Sequence, residues 1–181
     1  MRPKSKAADG DIVRAVLAGD RERYAQLVER YRDRYARYAT RMVGSADAAE
    51  DVLQDAFVRA YDQLAQCKDP DKFVGWFFLI LRNRCFAERH RSRSAVSLEA
   101  AEGVAAVERS DGGAETAERR SALQLALLEL TPEQREVFVL KHFEELSYGE
   151  IAERLSTSVA SLKMRMHRAY DKLREELRDH T

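Results

Sequence analysis

The sequence predicts an all-α protein: two small helical domains joined by a flexible acidic linker, the second domain ending in a helix-turn-helix. Three observations predict it. Apolar residues recur at steps of three and four through most of the chain, which is the period of a helix face. Helix breakers are scarce, with 8 Gly and 3 Pro in 181 residues. The periodicity lapses over 95–118, where six acids stand against one Arg and Gly103 and Gly112-Gly113 loosen the backbone. That lapse sets the expected domains at 1–94 and 119–181, with 95–118 as the linker.

Taken in order, Asp9 to Ala18 is a short amphipathic helix with Ile12, Val13, Val16 and Leu17 on one side, closed by Gly19-Asp20. From Arg21 to Val43, Tyr24, Leu27, Val28, Tyr31, Tyr35, Tyr38 and Met42 form a helical stripe that Gly44 ends. Those tyrosines, interleaved with arginines, are better read as core lining than as stacking platforms for bases, because their spacing is that of a buried face. Ser45 or Asp47 can cap the next helix, which turns Val52, Leu53, Ala56, Phe57, Ala60, Tyr61 and Leu64 inward. Its first turns hold Glu50, Asp51 and Asp55, placed where a helix dipole stabilises carboxylates. Gln66 to Asp71, with Asp69-Pro70, reads as a loop. The helix that follows is aromatic in its first half (Phe73, Trp76, Phe77) and arginine-rich in its second. Aromatic platforms beside cations suit single-stranded DNA, where stacking contributes about 1–3 kcal/mol per base; a core helix with a basic exit fits the pattern equally well. Helical pattern resumes after Ala117, and Thr131, Pro132 and Gln134 mark another start by hydroxyl cap, N1 proline and capping-box partner.

The last stretch, Ser147 to Leu177, carries the most information. Ser147 and Glu150 form an S-x-x-E capping box, so a short helix starts near Tyr148. Ser156, Thr157 and Ser158 stop it, and a second helix begins near Val159 with Val159, Leu162, Met166, Ala169 and Leu173 facing inward. Lys163 and His167, and Met164 and Arg168, then share the opposite face, and no acid occurs from Ser156 to Tyr170. A basic helix after a tight turn suits a DNA major groove, where Lys or Arg donates to guanine O6 and N7. A solvated basic face on an ordinary helical hairpin is the plainer reading of the same pattern.

Composition narrows the classes. Charged residues make up 34% and hydrophobic ones 45%, as in soluble helical proteins. Lys plus Arg and Asp plus Glu each total 31, so net charge does not signal a polyanion partner. The distribution does: five Arg against one Glu over 82–94 precede the acidic stretch. Cys67 and Cys85 fit neither a disulfide framework nor a metal spacing, and the four His show none either, so no metal and no cofactor is expected. The longest apolar run, Phe73 to Leu81, is nine residues, against roughly 20 to span a bilayer. The start of the chain has no apolar signal core, so the expectation is a cytoplasmic protein without membrane insertion. No nucleophile or base accompanies the carboxylates, and enzymatic chemistry is not expected.

Motifs in order along the chain carry a family resemblance. They are Asp11-Ile-Val-Arg-Ala-Val-Leu-Ala-Gly19-Asp20, then Ala49-Glu-Asp-Val-Leu-Gln-Asp-Ala-Phe-Val-Arg-Ala-Tyr61, then Phe73, Trp76, Ile80 and Asn83, then Leu130-Thr-Pro-Glu-Gln-Arg-Glu-Val-Phe138 and Leu146-Ser-Tyr-Gly-Glu-Ile-Ala-Glu-Arg-Leu155. Over nearly its whole length the chain resembles the extracytoplasmic-function sigma factors, promoter-recognition subunits of bacterial RNA polymerase. The resemblance implies a non-enzyme that binds core polymerase at the clamp helices of the largest subunit through Asp51, Gln54 and Asp55. It implies −10 promoter contacts by Lys72, Phe73, Trp76 and Asn83 with Arg82, Arg84, Arg89 and Arg91 on phosphates. It implies −35 contacts by Ser158, Lys163, Met164, Arg165, His167 and Arg168, with Arg165 on the backbone. It also implies control by a separate anti-sigma protein. Ser156 and Ala160 stand where the family usually has Gly, Met164 where Ser is common, and Ala87 where Asp is common. The rival reading is a stand-alone helix-turn-helix regulator acting without polymerase; Glu50 to Arg93, which such regulators lack, separates the two.

Overall fold

The computed structural model describes residues 7–98 and 114–178. All regular structure among them is helical. α1 (Asp9–Leu17) buries Ile12, Val13 and Val16, and the chain leaves it through Gly19 at φ +110°. A 3-10 turn at Arg21–Arg23 leads into α2 (Tyr24–Val43). Gly44, at φ +90°, closes α2 by donating its amide to the Thr40 carbonyl. Ser45, not Asp47, caps α3 (Ala46–Asp62) by accepting from the Ala48 amide. The expected loop before the aromatic helix is largely wound into two 3-10 turns, Leu64–Gln66 and Pro70–Lys72, the second capped by the Asp69 side chain. α4 follows (Phe73–Leu98).

These helices share an aromatic core. Phe77 stacks on Phe57 at 4.4 Å and on Phe73 at 5.9 Å, and Tyr35 meets Phe77 and Phe78. Tyr24 donates its hydroxyl to the Phe57 carbonyl at 2.8 Å, which satisfies the polar end of a buried ring. The tyrosine stripe of α2 is therefore core lining, as its period predicts. Phe73 is a correction: it is fully buried in this cluster and has no face to offer a base.

The C-terminal helices are α5 (Ala114–Glu129), α6 (Pro132–His142), α7 (Tyr148–Leu155) and α8 (Val159–Glu176). Both expected capping boxes form, Thr131 with Gln134 and Ser147 with Glu150. Ser158 caps α8 by accepting from the Ser161 amide. Leu162, Met166, Ala169 and Leu173 are buried as the stripe requires, but Val159 is exposed because it sits in the first turn, beyond the reach of α6 and α7. The expected linker is shortened at both ends: α4 continues through Leu98 and α5 begins at Ala114. The helical periodicity there is carried by small and polar residues, too weak a pattern to separate from a linker. Residues 99–113, the rest of that expected linker, lie outside the described residues.

The two groups of helices are not apart. α6 and α5 pack against α2, and buried side chains from both groups form one continuous core. This contact places α6 beside the arginine-rich half of α4.

Candidate nucleic-acid interface

The −35 candidates lie on one surface. A left-handed residue, Ser156 at φ +50°, ends α7, and Thr157 returns its amide to the Ala152 carbonyl, so the turn aims α8 across α7. With the apolar stripe of α8 buried, Lys163, Met164, His167 and Arg168 are left in solvent, Met164 at 58% exposure. His167 Nδ1 lies 2.9 Å from Asp171, one turn on, which fixes the ring at the edge of this face. Lys163 and Arg168 make no ion pair among the described residues, so both cations are free to meet an anion. Arg165 is half-buried and turned towards Glu136, whose carboxylate it helps hold ionised. Ser158 is exposed, with its hydroxyl engaged in capping.

The −10 candidates divide. Lys72 and Asn83 are exposed, Trp76 is half-buried against Phe73, and Arg91 is exposed with its guanidinium on Glu88. Three arginines are engaged instead. Arg82 holds Glu136 of α6 in a two-pronged bond, Nε at 2.6 Å and Nη2 at 3.0 Å. Arg84 pairs with Asp55. Arg89 is only 8% exposed and donates to the Leu128 carbonyl at 2.8 Å. In this arrangement Arg89 is a buried junction residue and not a surface cation, because the second group of helices lies over it.

The polymerase candidates differ in the same way. Asp51 and Gln54 are exposed on α3, whereas Asp55 is clamped between Arg59, at 2.9 Å, and Arg84. Beside Gln54 runs an open groove of about 820 Å³ between α2 and α3. Its floor is Val28, Leu53, Phe57 and Val58, and its rim is charged, with Glu29, Arg32 and Glu50. Val58 is 53% exposed there. Sequence reasoning used α3 only for its acids and missed this groove; the signal available was Val58, an apolar residue off the buried stripe.

Arg135 and Glu136 were also missed. Both are fully buried. Arg135 donates to the Leu127 carbonyl at 2.5 Å and to the Met42 carbonyl at 2.6 Å. Burial raises the pKa of Glu136 while Arg82 pulls it back, and Tyr38 donates its hydroxyl to the same carboxylate at 3.4 Å. Burial drives Tyr38 well above the ordinary phenol value and lifts the nearby Cys85 thiol to about 12, Glu136 adding to each. The signal for this cluster lay in α6 itself, where Val137, Phe138, Val139 and Leu140 are successive and all buried, so the charges beside them could not reach solvent either.

With this geometry in place, comparison with known proteins is specific. The family description "Sigma-70 region 2" matches residues 27–95 and "Sigma-70, region 4" matches 120–173. The ECF RNA polymerase sigma factor SigW of Bacillus subtilis is 32% identical over 178 residues, covering 92% of this chain and 95% of that protein. The RNA polymerase sigma-E factor of Streptomyces avermitilis is 32% identical over 157 residues, 85% of this chain and 84% of its own. Among solved structures, CnrH in complex with the cytosolic domain of CnrY superposes with a TM-score of 0.67 at 28% identity, covering 97% of this chain and all of that one. The sigma factor RpoE from Bartonella quintana, solved with the anti-sigma factor NepR, shares the fold at a TM-score of 0.65 and 22% identity, over 86% of this chain and 96% of its own. Two region matches in the order of the helices, and relatives matched nearly end to end, leave one assignment: the chain belongs to the extracytoplasmic-function sigma factors, the subunits that direct bacterial RNA polymerase to initiate transcription at chosen promoters.

Proposed function

We propose that this sigma factor divides its work between residues 1–94, which dock on core polymerase and open the −10 element, and residues 119–181, which read the −35 element. The observation that carries this is the exposed face of α8: Lys163, Met164, His167 and Arg168 project together from a helix whose other side is locked into α6 and α7. A rigid helix presenting donors and one apolar side chain can enter a major groove and distinguish base edges there. Lys72, Trp76, Asn83 and Arg91 supply the single-strand contacts, with Arg82, Arg84 and Arg89 joining once released from their present partners. Asp51 and Gln54, beside the apolar groove of α2 and α3, meet the clamp helices of the largest polymerase subunit, and Asp55 joins them.

It acts by binding alone, in the cytoplasm where the polymerase works, and no helix among the described residues is long and apolar enough to cross a membrane. CnrH, 28% identical, is held by the cytosolic domain of CnrY, and we assign this chain an anti-sigma partner of its own. The deciding experiment is run-off transcription from fragmented genomic DNA with purified core polymerase. Discrete transcripts that require this chain are expected. If it binds duplex DNA yet neither joins core polymerase nor yields a transcript, the stand-alone regulator is the correct reading.

A further inference from the structure

We propose that the second group of helices is a built-in inhibitor of the first: Glu136 occupies Arg82 as a stand-in for a promoter phosphate, and the −10 surface becomes competent only when α6 swings away. The proposal rests on the −10 role given above to Arg82 and Arg89. Its basis is where those cations are. Arg82 makes a two-pronged bond to the Glu136 carboxylate, the geometry with which a guanidinium also grips a phosphate. Arg89 spends a guanidinium nitrogen on the Leu128 carbonyl at the end of α5. Both partners lie in the second group of helices, whereas the partners of Lys72 and Arg91 are local. The −35 face stays exposed, so the closure acts on one of the two DNA surfaces.

The junction is fitted. Gly44 has no side chain where Leu128 lies; a Cβ there would come within 2.3 Å of a Leu128 methyl. Arg135 reaches across to the Met42 carbonyl, and Tyr38 reaches Glu136 from α2. The rim is electrostatic: Arg34 Nε meets Glu144 at 2.8 Å, Arg41 lies 4.2 Å over the Phe143 ring, and Arg154 of α7 covers Phe78 of α4. Buried charges of opposite sign meet only when the two groups are together, since a lone Glu136 or Arg82 in the same apolar setting is strongly disfavoured. Opening therefore needs a replacement anion for Arg82, which the strand phosphates provide. Affinity measured on the closed chain is lowered by the fraction that is open.

The test uses the full chain and residues outside the DNA and polymerase surfaces. Arg34→Glu with Arg41→Glu sets two acids against Glu144; adding Glu144→Arg restores complementarity. Compactness is read by small-angle X-ray scattering, and binding by anisotropy of a fluorescein-labelled single-stranded oligonucleotide of mixed sequence, because phosphate contacts do not depend on sequence. The double variant is expected to expand and to bind about 5- to 10-fold more tightly, the gain from an open population that rises by that factor. The triple variant is expected to return to the wild-type size and affinity. A double variant that stays compact, or that expands with no gain in affinity, overturns the proposal. Run-off transcription by the same proteins separates the two levels: transcripts with no gain in single-strand affinity refute the inhibitor alone, while an expanded chain that binds no strand and makes no transcript refutes the sigma assignment of the −10 residues.

Discussion

Ser156 is the residue at which family pattern and backbone disagree most plainly. It ends α7 at φ +50°, ψ +49°, a region that disfavours any residue with a Cβ by about 1–2 kcal/mol. Glycine has no such penalty there, although it loses more chain entropy on folding. Ser156→Gly is therefore expected to raise the stability of the C-terminal helices by about 0.5–1 kcal/mol without altering DNA binding; chemical denaturation checks it, and a loss of stability would mean that the serine hydroxyl matters more than the turn geometry. On the reading face, Lys163→Ala or Arg168→Ala should each cost about 1–3 kcal/mol on the cognate −35 duplex, measured by competition against a scrambled duplex. Equal losses on both duplexes would reduce these side chains to phosphate contacts. Much of this scale was legible in the sequence, because caps and stripes are local: Thr131, Ser147 and Ser158 do what their spacing predicts. Phe73 and Arg89 were not, because burial by a distant helix leaves no local mark.

At the scale of elements, the groove between α2 and α3 is the surface best suited to a helical partner. Its apolar floor is exposed, its rim is mixed in sign, and it runs beside Gln54. Asp55 is a poor probe of polymerase docking despite its place on α3, since reversing its charge would set three cations together at Arg59 and Arg84. Val58 is a better one. It is 53% exposed, and a substitution so far out of the core is expected to change stability by no more than about 0.5 kcal/mol. Val58→Asp is expected to cut co-purification with core polymerase severely while the thermal midpoint barely moves; retention of the complex would place the docking surface elsewhere. Helix identity and order were legible because apolar periodicity spans each element. The far end of α4 and the start of α5 were not, since small and acidic residues there resemble a linker in composition while adopting helix.

At the scale of the whole molecule, the sequence supports two domains and the structure joins them. Arg135, Glu136 and Tyr38 make the junction part of one buried core, and no periodicity within either half could announce a contact between residues 98 apart in the chain. This coupling has a thermodynamic signature. Two helical groups that bury each other's charges should unfold together, because separating them exposes apolar surface and strands Arg82, Arg135 and Glu136 without their partners. Calorimetry of the wild-type chain is therefore expected to show a single transition with matching calorimetric and van't Hoff enthalpies. In the Arg34→Glu, Arg41→Glu variant the coupling is weakened, and the same scan should split into two smaller transitions, one for each group. The split should close again when Glu144→Arg is added, since complementarity at the rim is then restored with opposite polarity. Two transitions already present in the wild type would mean that the groups meet too weakly to share a cooperative unit, and the interface would then carry no regulatory load.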